Sequence, residues 1–217
     1  MCERQVPHSH EYADKLRNEY DYDMIRPVGR DEMRSLVGSS AYYGGTLDMG
    51  GGHIHPLRFA LGLARAARDA GVRIHERSQV TSVTPDGKVS TDQAQITAKH
   101  VILGCNGYLG ALNGHVAQRV MPINNFIAAT EPLSDAEVLN LIRDNHAVAD
   151  SKFVINYFRP SEDNRMLFGG GESYGYKFPK DIAKTARKPM LKLFQQLQDT
   201  KIEYEWGSTL GITNNST

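Results

Sequence analysis

The stretch from Gly44 to Gly71 constrains the fold of this chain more than any other segment. It begins with a glycine-rich segment that contains two histidines, and it continues into a helix with clear start and stop signals. Pro56 suits the first helical position because its missing N–H is not needed there, and Gly71 supplies the left-handed residue that often ends a helix. The apolar residues between them recur at three- and four-residue spacing and predict one apolar helical face; they are Leu57, Ala60, Leu61, Ala64 and Ala67.

Two apolar segments after this helix predict strands. Residues 72–74 follow Gly71 directly, and a helix, a glycine and a strand make half of a βαβ unit. Residues 100–104 form a nearly continuous apolar run, which is typical of a strand buried on both faces. Pro85, Asp86 and Gly87 predict a tight turn between them. The sequence therefore predicts a βαβ-like region over residues 44–110.

The remainder of the chain predicts an antiparallel sheet with helices. Residues 153–159 and 166–170 predict a hairpin because the loop between them is rich in turn formers. Ser134 and Glu137 have the spacing of a capping box and predict the start of a helix. Pro189 lies inside a second predicted helix and is expected to kink or restart it.

Composition excludes several classes of protein. The 217 residues include 25 Lys or Arg and 25 Asp or Glu, so the formal net charge is zero and no nucleic-acid partner is indicated. No apolar run approaches the roughly 20 residues that a membrane-spanning helix needs, and no signal peptide is visible. Cys2 and Cys105 stand in unlike contexts and suggest no disulfide framework. The sequence therefore predicts a cytoplasmic protein without a membrane partner.

His53 and His55 are the first candidate site residues. They flank Ile54, so in an extended segment both side chains point to one face. The pattern is compatible with two metal ligands, an acid/base pair, contact with a bound cofactor or substrate, or capping of the helix that follows. No further histidine or carboxylate stands at ligand spacing, so the sequence predicts no metal site.

Gly104, Cys105 and Asn106 are candidates because ligands of open α/β sheets bind outside the carboxyl ends of strands. The sequence gives no sign of a general base paired with Cys105, so this cysteine is not expected to be a catalytic nucleophile. Residues 50–52 and 169–171 are glycine runs, but neither has the G-x-G-x-x-G spacing of a dinucleotide-binding loop. Close backbone approach or a bulge is the simpler interpretation of both runs.

Tyr157 and Arg159 are the candidates on the hairpin. Their spacing places both side chains on one face of a strand, and an arginine pairs well with a carboxylate. Arg165 lies beside them at the end of the hairpin loop. The commoner role of such an arginine, to stabilise a turn, stays open for both.

Taken together, these segments resemble the FAD-dependent D-amino acid oxidase superfamily. The resemblance is carried by residues 45–56, 71–80, 100–110, 157–171 and 206–213. Within that superfamily, the Gly-Gly-His-Ile-His-Pro-Leu segment is most similar to gamma-glutamylputrescine oxidoreductases. The resemblance covers nearly all of the chain, and the motifs are specific as a set although each is weak alone.

The resemblance implies an FAD-dependent oxidation of an amine or amino acid, with gamma-glutamylputrescine or a related compound as the substrate. It implies that Val80 meets the adenine end of FAD through its backbone, and that Gly104, Cys105 and Asn106 lie near the cofactor. The hairpin sheet would then form the substrate side, which makes His53, His55, Tyr157 and Arg159 candidate substrate contacts. It identifies no catalytic residue.

The fold class that the resemblance implies is α/β with an α+β substrate part: an incomplete FAD-binding, Rossmann-like portion plus a mixed or antiparallel substrate-domain sheet with helices. The expected domains are a lead-in of the substrate domain at 1–43, a partial FAD-binding domain at 44–112, the substrate-binding domain at 113–213 and a tail at 214–217.

No G-x-G-x-x-G loop is present, although members of the superfamily hold the FAD pyrophosphate with one. The sequence is therefore expected to be the central portion of such an enzyme, inactive alone, with exposed faces that allow self-association. Two alternatives remain. One is part of a glycine- or sarcosine-oxidase-like enzyme, which would use Arg159 or Arg165 for the substrate carboxylate. The other is a non-catalytic remnant or subunit that binds a partner chain.

Overall fold

The computed structural model describes residues 3–213, so Cys2 and the predicted tail at 214–217 lie outside the described part of the chain. These residues divide into two compact units. The first unit contains residues 3–52 and 124–208, and the second contains residues 53–123 and 209–213. The predicted domain boundaries after residues 43 and 112 stay predictions.

The chain alternates between helices and mostly short strands. The helices are α1 Val6–Tyr20, α2 Arg30–Leu36, α3 Pro56–Asp69, α4 Gly114–Ala117, α5 Asp135–Leu141 and α6 Ile182–Leu193. The strands are β1 Ile25–Val28, β2 Gly45–Asp48, β3 Ser82–Val83, β4 Lys88–Ser90, β5 Gln95–Thr97, β6 Val120–Thr130, β7 Val148–Ala149, β8 Tyr157–Pro160, β9 Met166–Tyr174 and β10 Ile202–Thr213. Single turns of 3-10 helix lie at Glu3–Gln5, Asn106–Tyr108, Arg143–Asn145 and Gln195–Leu197.

The strands pair into antiparallel sheets. In the described residues the largest sheet has the order β10-β6-β9-β8-β7, and β1 pairs with β2 separately. The predicted hairpin is β8 and β9, whose antiparallel register sets Phe158 opposite Phe168. The predicted class, helices combined with a mainly antiparallel sheet, is confirmed.

An aromatic cluster lies at the centre of the first unit. Phe158 stacks on Phe168 with ring centroids 5.8 Å apart, and it meets Phe194 edge to face at 5.0 Å. The Tyr42 ring lies 6.2 Å from Phe158. Buried residues from α2, α5 and α6 surround the cluster, among them Leu36, Leu141, Met190 and Leu193. The apolar face of the hairpin therefore packs on helices.

Local signals in this unit behave as predicted, with one exception. The Ser134 hydroxyl caps α5 and Glu137 completes the capping box. Pro189, however, does not restart α6, because the helix continues through it to Leu193. Met190 and Leu193 are both buried in the core, and this burial compensates for the backbone hydrogen bond that a proline cannot make.

The second unit contains α3 and a small antiparallel sheet of β3, β4 and β5. Helix α3 begins at Pro56 and ends at Asp69, and Gly71 has a φ of +87°, as predicted. The turn before β4 is also confirmed: Gly87 has a φ of +81° and its N–H donates to the Thr84 carbonyl at 3.0 Å.

Two predicted strands of the βαβ-like region are wrong. Residues 72–74 and 100–104 are not strands, and Ile102 is 93% exposed. A strand needs a hydrogen-bonded neighbour, and neither segment pairs with a strand of residues 3–213. The apolar face of α3 is exposed in the same way at Leu57 and Leu61.

No helix within residues 3–213 is long and apolar enough to cross a membrane.

We expect Phe158→Ala to lower the free energy of unfolding of the first unit by about 3–5 kcal/mol, because it leaves a cavity among three aromatic rings. Phe153→Ala is the matched control, since that ring is 93% exposed and its loss should change stability by less than about 0.5 kcal/mol. Urea unfolding followed by the fluorescence of Trp206, the single tryptophan, measures both. Equal losses in the two variants would contradict this account of the core.

Candidate functional site

The segment from Gly104 to Tyr108 is held against the last part of β10. Asn106 and Tyr108 bound a 3-10 turn that directly follows Cys105. The Asn106 Oδ1 accepts from the Gly211 N–H at 2.6 Å, and the Tyr108 hydroxyl accepts from the Thr209 N–H at 3.0 Å. Two side chains of the turn therefore satisfy two backbone groups of the strand.

Gly107 is the point of closest approach within this contact. A Cβ atom there would lie 2.6 Å from the Thr209 carbonyl oxygen, which is inside van der Waals contact. Asn106 has a left-handed φ of +49°, a conformation that asparagine tolerates better than most residues. Asn106 thus anchors the turn through its Oδ1, which faces the backbone of β10, and its contact with a cofactor stays a prediction.

Gly104, by contrast, lies next to open space. A Cβ atom built on Gly104 would meet no described atom within 4 Å. Cys105 is half-buried and is a free thiol, and the apolar run before it is exposed at Ile102. The backbone at Gly104 is therefore open, which is compatible with the close approach of a ligand such as a flavin nucleotide. The cofactor role of Gly104 and Cys105 itself stays a prediction.

Val80 lies at the start of the small sheet in the same unit. It is half-buried and precedes Thr81, whose N–H donates to the Ser90 carbonyl at 2.8 Å. The backbone beside Val80 is thereby held at the sheet margin. This position suits a backbone contact to a ligand, which stays a prediction.

The two histidines have different surroundings. The His55 Nδ1 accepts from the Arg58 N–H at 3.4 Å and caps α3, which is one of the interpretations left open by the sequence. His53 is half-buried. Within residues 3–213 no group of three or more His, Cys, Asp or Glu is arranged to hold a metal ion. Contact of either histidine with a substrate stays a prediction.

The glycine run before these histidines has an anchor that the sequence reasoning missed. The Asp48 Oδ1 accepts from the Tyr22 hydroxyl at 2.6 Å and from the Gly50 N–H at 2.8 Å. The Tyr22 hydrogen bond is the main cause that lowers the pKa of Asp48, and the Asp48 carboxylate raises the pKa of Tyr22. A side chain on Gly50 would overlap the Tyr22 hydroxyl. The Asp-x-Gly spacing, typical of Asx turns, could have indicated the local half of this cluster.

Tyr157 and Arg159 lie on one side of β8, as predicted, while Phe158 and Pro160 are buried on the other. The Tyr157 hydroxyl donates to the Asn125 Oδ1. Burial raises the pKa of Tyr157, and the Asn125 hydrogen bond partly opposes the shift. The phenol therefore stays protonated at neutral pH.

Gly169 lies on the neighbouring strand β9, and Arg159 follows Tyr157 by two residues on β8. Gly169 stands opposite Tyr157 in the register, and a side chain there would overlap the tyrosine ring. The Arg159 Nη1 donates to the Pro160 carbonyl at 3.1 Å. The structure thus brings Tyr157 and Arg159 together in the first unit, whereas Val80, Gly104, Cys105 and Asn106 belong to the second.

Arg165 has a structural role. Its Nε donates to Asp163 at 2.7 Å, and its Nη1 donates to the Thr130 carbonyl at 2.8 Å and to Glu203. The guanidinium also lies over the Tyr204 ring at 4.9 Å. Arg165 therefore ties the hairpin loop to β6 and β10, and its donors are directed at these partners.

Comparison with known proteins gives the class to which this fold and site belong. The sequence pattern of FAD-dependent oxidoreductases, the DAO family, matches residues 3–215. The chain belongs to this family, which confirms the resemblance inferred from the sequence motifs.

Two curated relatives illustrate the similarity. The gamma-glutamylputrescine oxidoreductase of Escherichia coli is 38% identical over 89% of this chain and 46% of its own length. The probable oxidoreductase OrdL of Rhizobium meliloti is 37% identical over 93% of this chain and 47% of its own length. The chain spans about half the length of the curated relatives it matches.

Solved structures share the fold at low sequence identity. Glycine oxidase from Geobacillus kaustophilus matches with a TM-score of 0.82 and 16% identity, over 100% of this chain and 58% of that one. L-proline dehydrogenase from P. horikoshii matches with a TM-score of 0.72 and 16% identity, over 99% of this chain and 68% of that one. Both likenesses concern the fold alone.

We expect Gly107→Ala to destabilise the second unit by about 1–3 kcal/mol, because the added methyl group meets the Thr209 carbonyl. Gly104→Ala is the matched control, since its methyl group enters open space. Native-state hydrogen exchange of the Thr209 and Gly211 amides measures the effect locally. Comparable loss of protection in both variants would contradict the close contact at Gly107.

Proposed function

We propose that the enzyme containing these residues oxidises a C–N bond of a small amine or amino acid by hydride transfer to FAD, with gamma-glutamylputrescine as the substrate. The observation that carries the substrate proposal is the 38% identity to a protein named gamma-glutamylputrescine oxidoreductase. The DAO family assignment carries the redox chemistry.

Gly104, Cys105 and the backbone of Val80 would hold FAD, which supplies a hydride acceptor when it is bound. Gly104 has the open space that close backbone approach requires. Asn106 contributes indirectly, because its hydrogen bond to Gly211 keeps the turn after Gly104 in place. The protein's part in such chemistry is to bind and orient the cofactor and the substrate and to exclude water.

Tyr157 and Arg159 are the proposed substrate contacts on the sheet. Tyr157 stays protonated and is positioned by Asn125, so it would act as a fixed polar group. Arg159 lies on the same side of β8 and would pair with a substrate carboxylate. His53 and His55 are proposed as further substrate contacts, and no residue is assigned as a catalytic base.

A small amino acid such as glycine or sarcosine is the second candidate substrate, and Arg159 would pair with the carboxylate of either candidate. The earlier alternative, Arg165, is less suited because Asp163, Glu203 and the Thr130 carbonyl engage its guanidinium. Values of kcat/KM measured for gamma-glutamylputrescine and for glycine or sarcosine distinguish the two candidate substrates.

We expect Arg159→Ala in the active enzyme to raise KM at least about tenfold for substrates with a carboxylate, since a charged hydrogen-bonded pair is worth about 1.5–3 kcal/mol. Putrescine is the matched control substrate because it has no carboxylate, and its KM should not change. Steady-state kinetics with gamma-glutamylputrescine, glycine, sarcosine and putrescine measure this. An equal effect on putrescine would contradict a carboxylate-binding role for Arg159.

We further propose that these 217 residues alone neither hold FAD tightly nor turn over. The apolar faces at Leu57, Leu61 and Ile102 are exposed, and exposed apolar surface of this kind promotes association. Self-association is therefore the proposed behaviour of the isolated chain. The cytoplasm remains the proposed compartment on the basis of residue composition.

We expect the purified 217-residue chain, mixed with FAD and desalted, to show none of the visible absorption of bound flavin. Absorption spectroscopy measures this, and the active enzyme is the positive control. A flavin spectrum that survives desalting would refute the proposal. Co-purification with a chain that contains a G-x-G-x-x-G loop would instead favour the interpretation of this chain as a subunit.

A further inference from the structure

A cavity of about 140 Å³ lies within the first unit, and none of the candidate site residues described above lines it. Helix α2 contributes Met33 and Leu36 to its wall, β2 contributes Leu47, and β7 contributes Val148. These side chains make the wall mainly apolar. Ala147 and Ala149 are exposed and mark the rim where the cavity meets solvent.

Tyr42, which lines this cavity, carries an unusual polar group. The side chain is only 5% exposed, and its ring packs 6.2 Å from Phe158 in the core. Its hydroxyl is buried and makes no hydrogen bond to any atom of residues 3–213. Burial, with a smaller contribution from the Asp150 carboxylate, raises the pKa of Tyr42. The hydroxyl is therefore a neutral group that can donate to a ligand.

Besides Tyr42, Asp150 and His146 are the titratable residues of the cavity wall, and of these two Asp150 is the one that is buried. Its Oδ1 accepts from the Asn156 N–H at 3.0 Å, and its Oδ2 accepts from the Asn156 Nδ2 at 2.7 Å. Lys152 lies 3.5 Å from the same Oδ2. The carboxylate is thus satisfied by protein groups, but its negative charge remains beside the cavity. An anionic ligand would be repelled there, and an apolar wall offers little solvation to any charged group.

The cavity lies on the core side of β8. Tyr42 packs against Phe158, which is on the buried face of the strand, whereas Tyr157 and Arg159 are on the other face. A ligand in the cavity therefore cannot contact the proposed substrate residues of this strand. The site is separate from them and does not depend on the proposed function.

We propose that this cavity is a second small-molecule site, which takes a neutral, ring-sized apolar molecule with one hydroxyl or carbonyl group bonded to the Tyr42 hydroxyl. The volume suits such a ligand, since an engineered apolar protein cavity of about 150 Å³ binds benzene. A polar group on the ligand would satisfy the buried hydroxyl, and the apolar ring would contact Met33, Leu47 and Val148.

Phenol, benzene and benzoate are suitable probes because they share one ring and differ in the polar group. We expect phenol to bind the 217-residue chain saturably in ligand-observed NMR titrations. Benzene should bind more weakly because it cannot bond Tyr42, and benzoate should not bind because of Asp150. Tyr42→Phe should weaken phenol binding about three- to tenfold, which is the loss of affinity expected when one hydrogen bond is removed. The same variant should leave benzene binding unchanged.

Tyr43→Phe is the matched control, since that ring lies 4.5 Å from the Arg30 guanidinium and is not part of the cavity wall. It should leave phenol affinity unchanged. The thermal unfolding midpoint of Tyr42→Phe should be no lower than that of the unmodified chain, because the lost hydroxyl makes no hydrogen bond to residues 3–213.

Three results would overturn the proposal. The first is the absence of saturable phenol binding to the unmodified, folded chain. The second is equal phenol affinity of the Tyr42→Phe and Tyr43→Phe variants. The third is benzoate binding as tight as that of phenol, which would mean that the Asp150 charge does not act on the cavity.

Discussion

The packing of Phe158 is the interaction on which the first unit depends. Its ring contacts Phe168 on the partner strand of the hairpin, and Tyr42 and Phe194 from distant parts of the chain. Because strand side chains alternate, a buried Phe158 forces the residues on either side of it to the opposite face. A slip of one residue would exchange the two faces. The same contact therefore builds the core and presents Tyr157 and Arg159 away from it.

The second unit depends on close backbone contact. Gly107 allows the turn after Cys105 to lie directly against β10 at Thr209, and side chains of that turn then bond the strand's amides. Gly104 has the opposite surroundings, with open space where a side chain would stand. Two glycines three residues apart thus have different physical roles. One permits a close protein contact, whereas the surroundings of the other are open.

Short-range signals explain most of the successful sequence predictions. The Ser134 capping box, Pro56 at the start of α3 and Gly87 in its turn each involve residues within a few positions of one another. The wrong strand at residues 100–104 shows the limit of such signals. An apolar run specifies that a segment favours burial, but it does not specify which surface will cover it.

The candidate sites show the same difference between features that local spacing predicts and features that depend on contacts between distant segments. The spacing of Tyr157 and Arg159 was enough to place them on one face, and the motifs together were enough to identify the DAO family. The hydrogen bond between Tyr22 and Asp48 could not be predicted, nor could a buried Tyr42 hydroxyl with no hydrogen-bond partner among residues 3–213. They depend on which distant segments pack together.

The sequence by itself determined the helix caps, the turns, the hairpin and the family, because these follow from local geometry and from motifs at fixed spacing. Only the tertiary structure decided that Asn106 anchors to Gly211, 105 residues away, and that Arg165 joins Glu203 across the sheet. The physical reason is that such contacts require particular backbones to meet, and local residue preferences do not encode which backbones will do so.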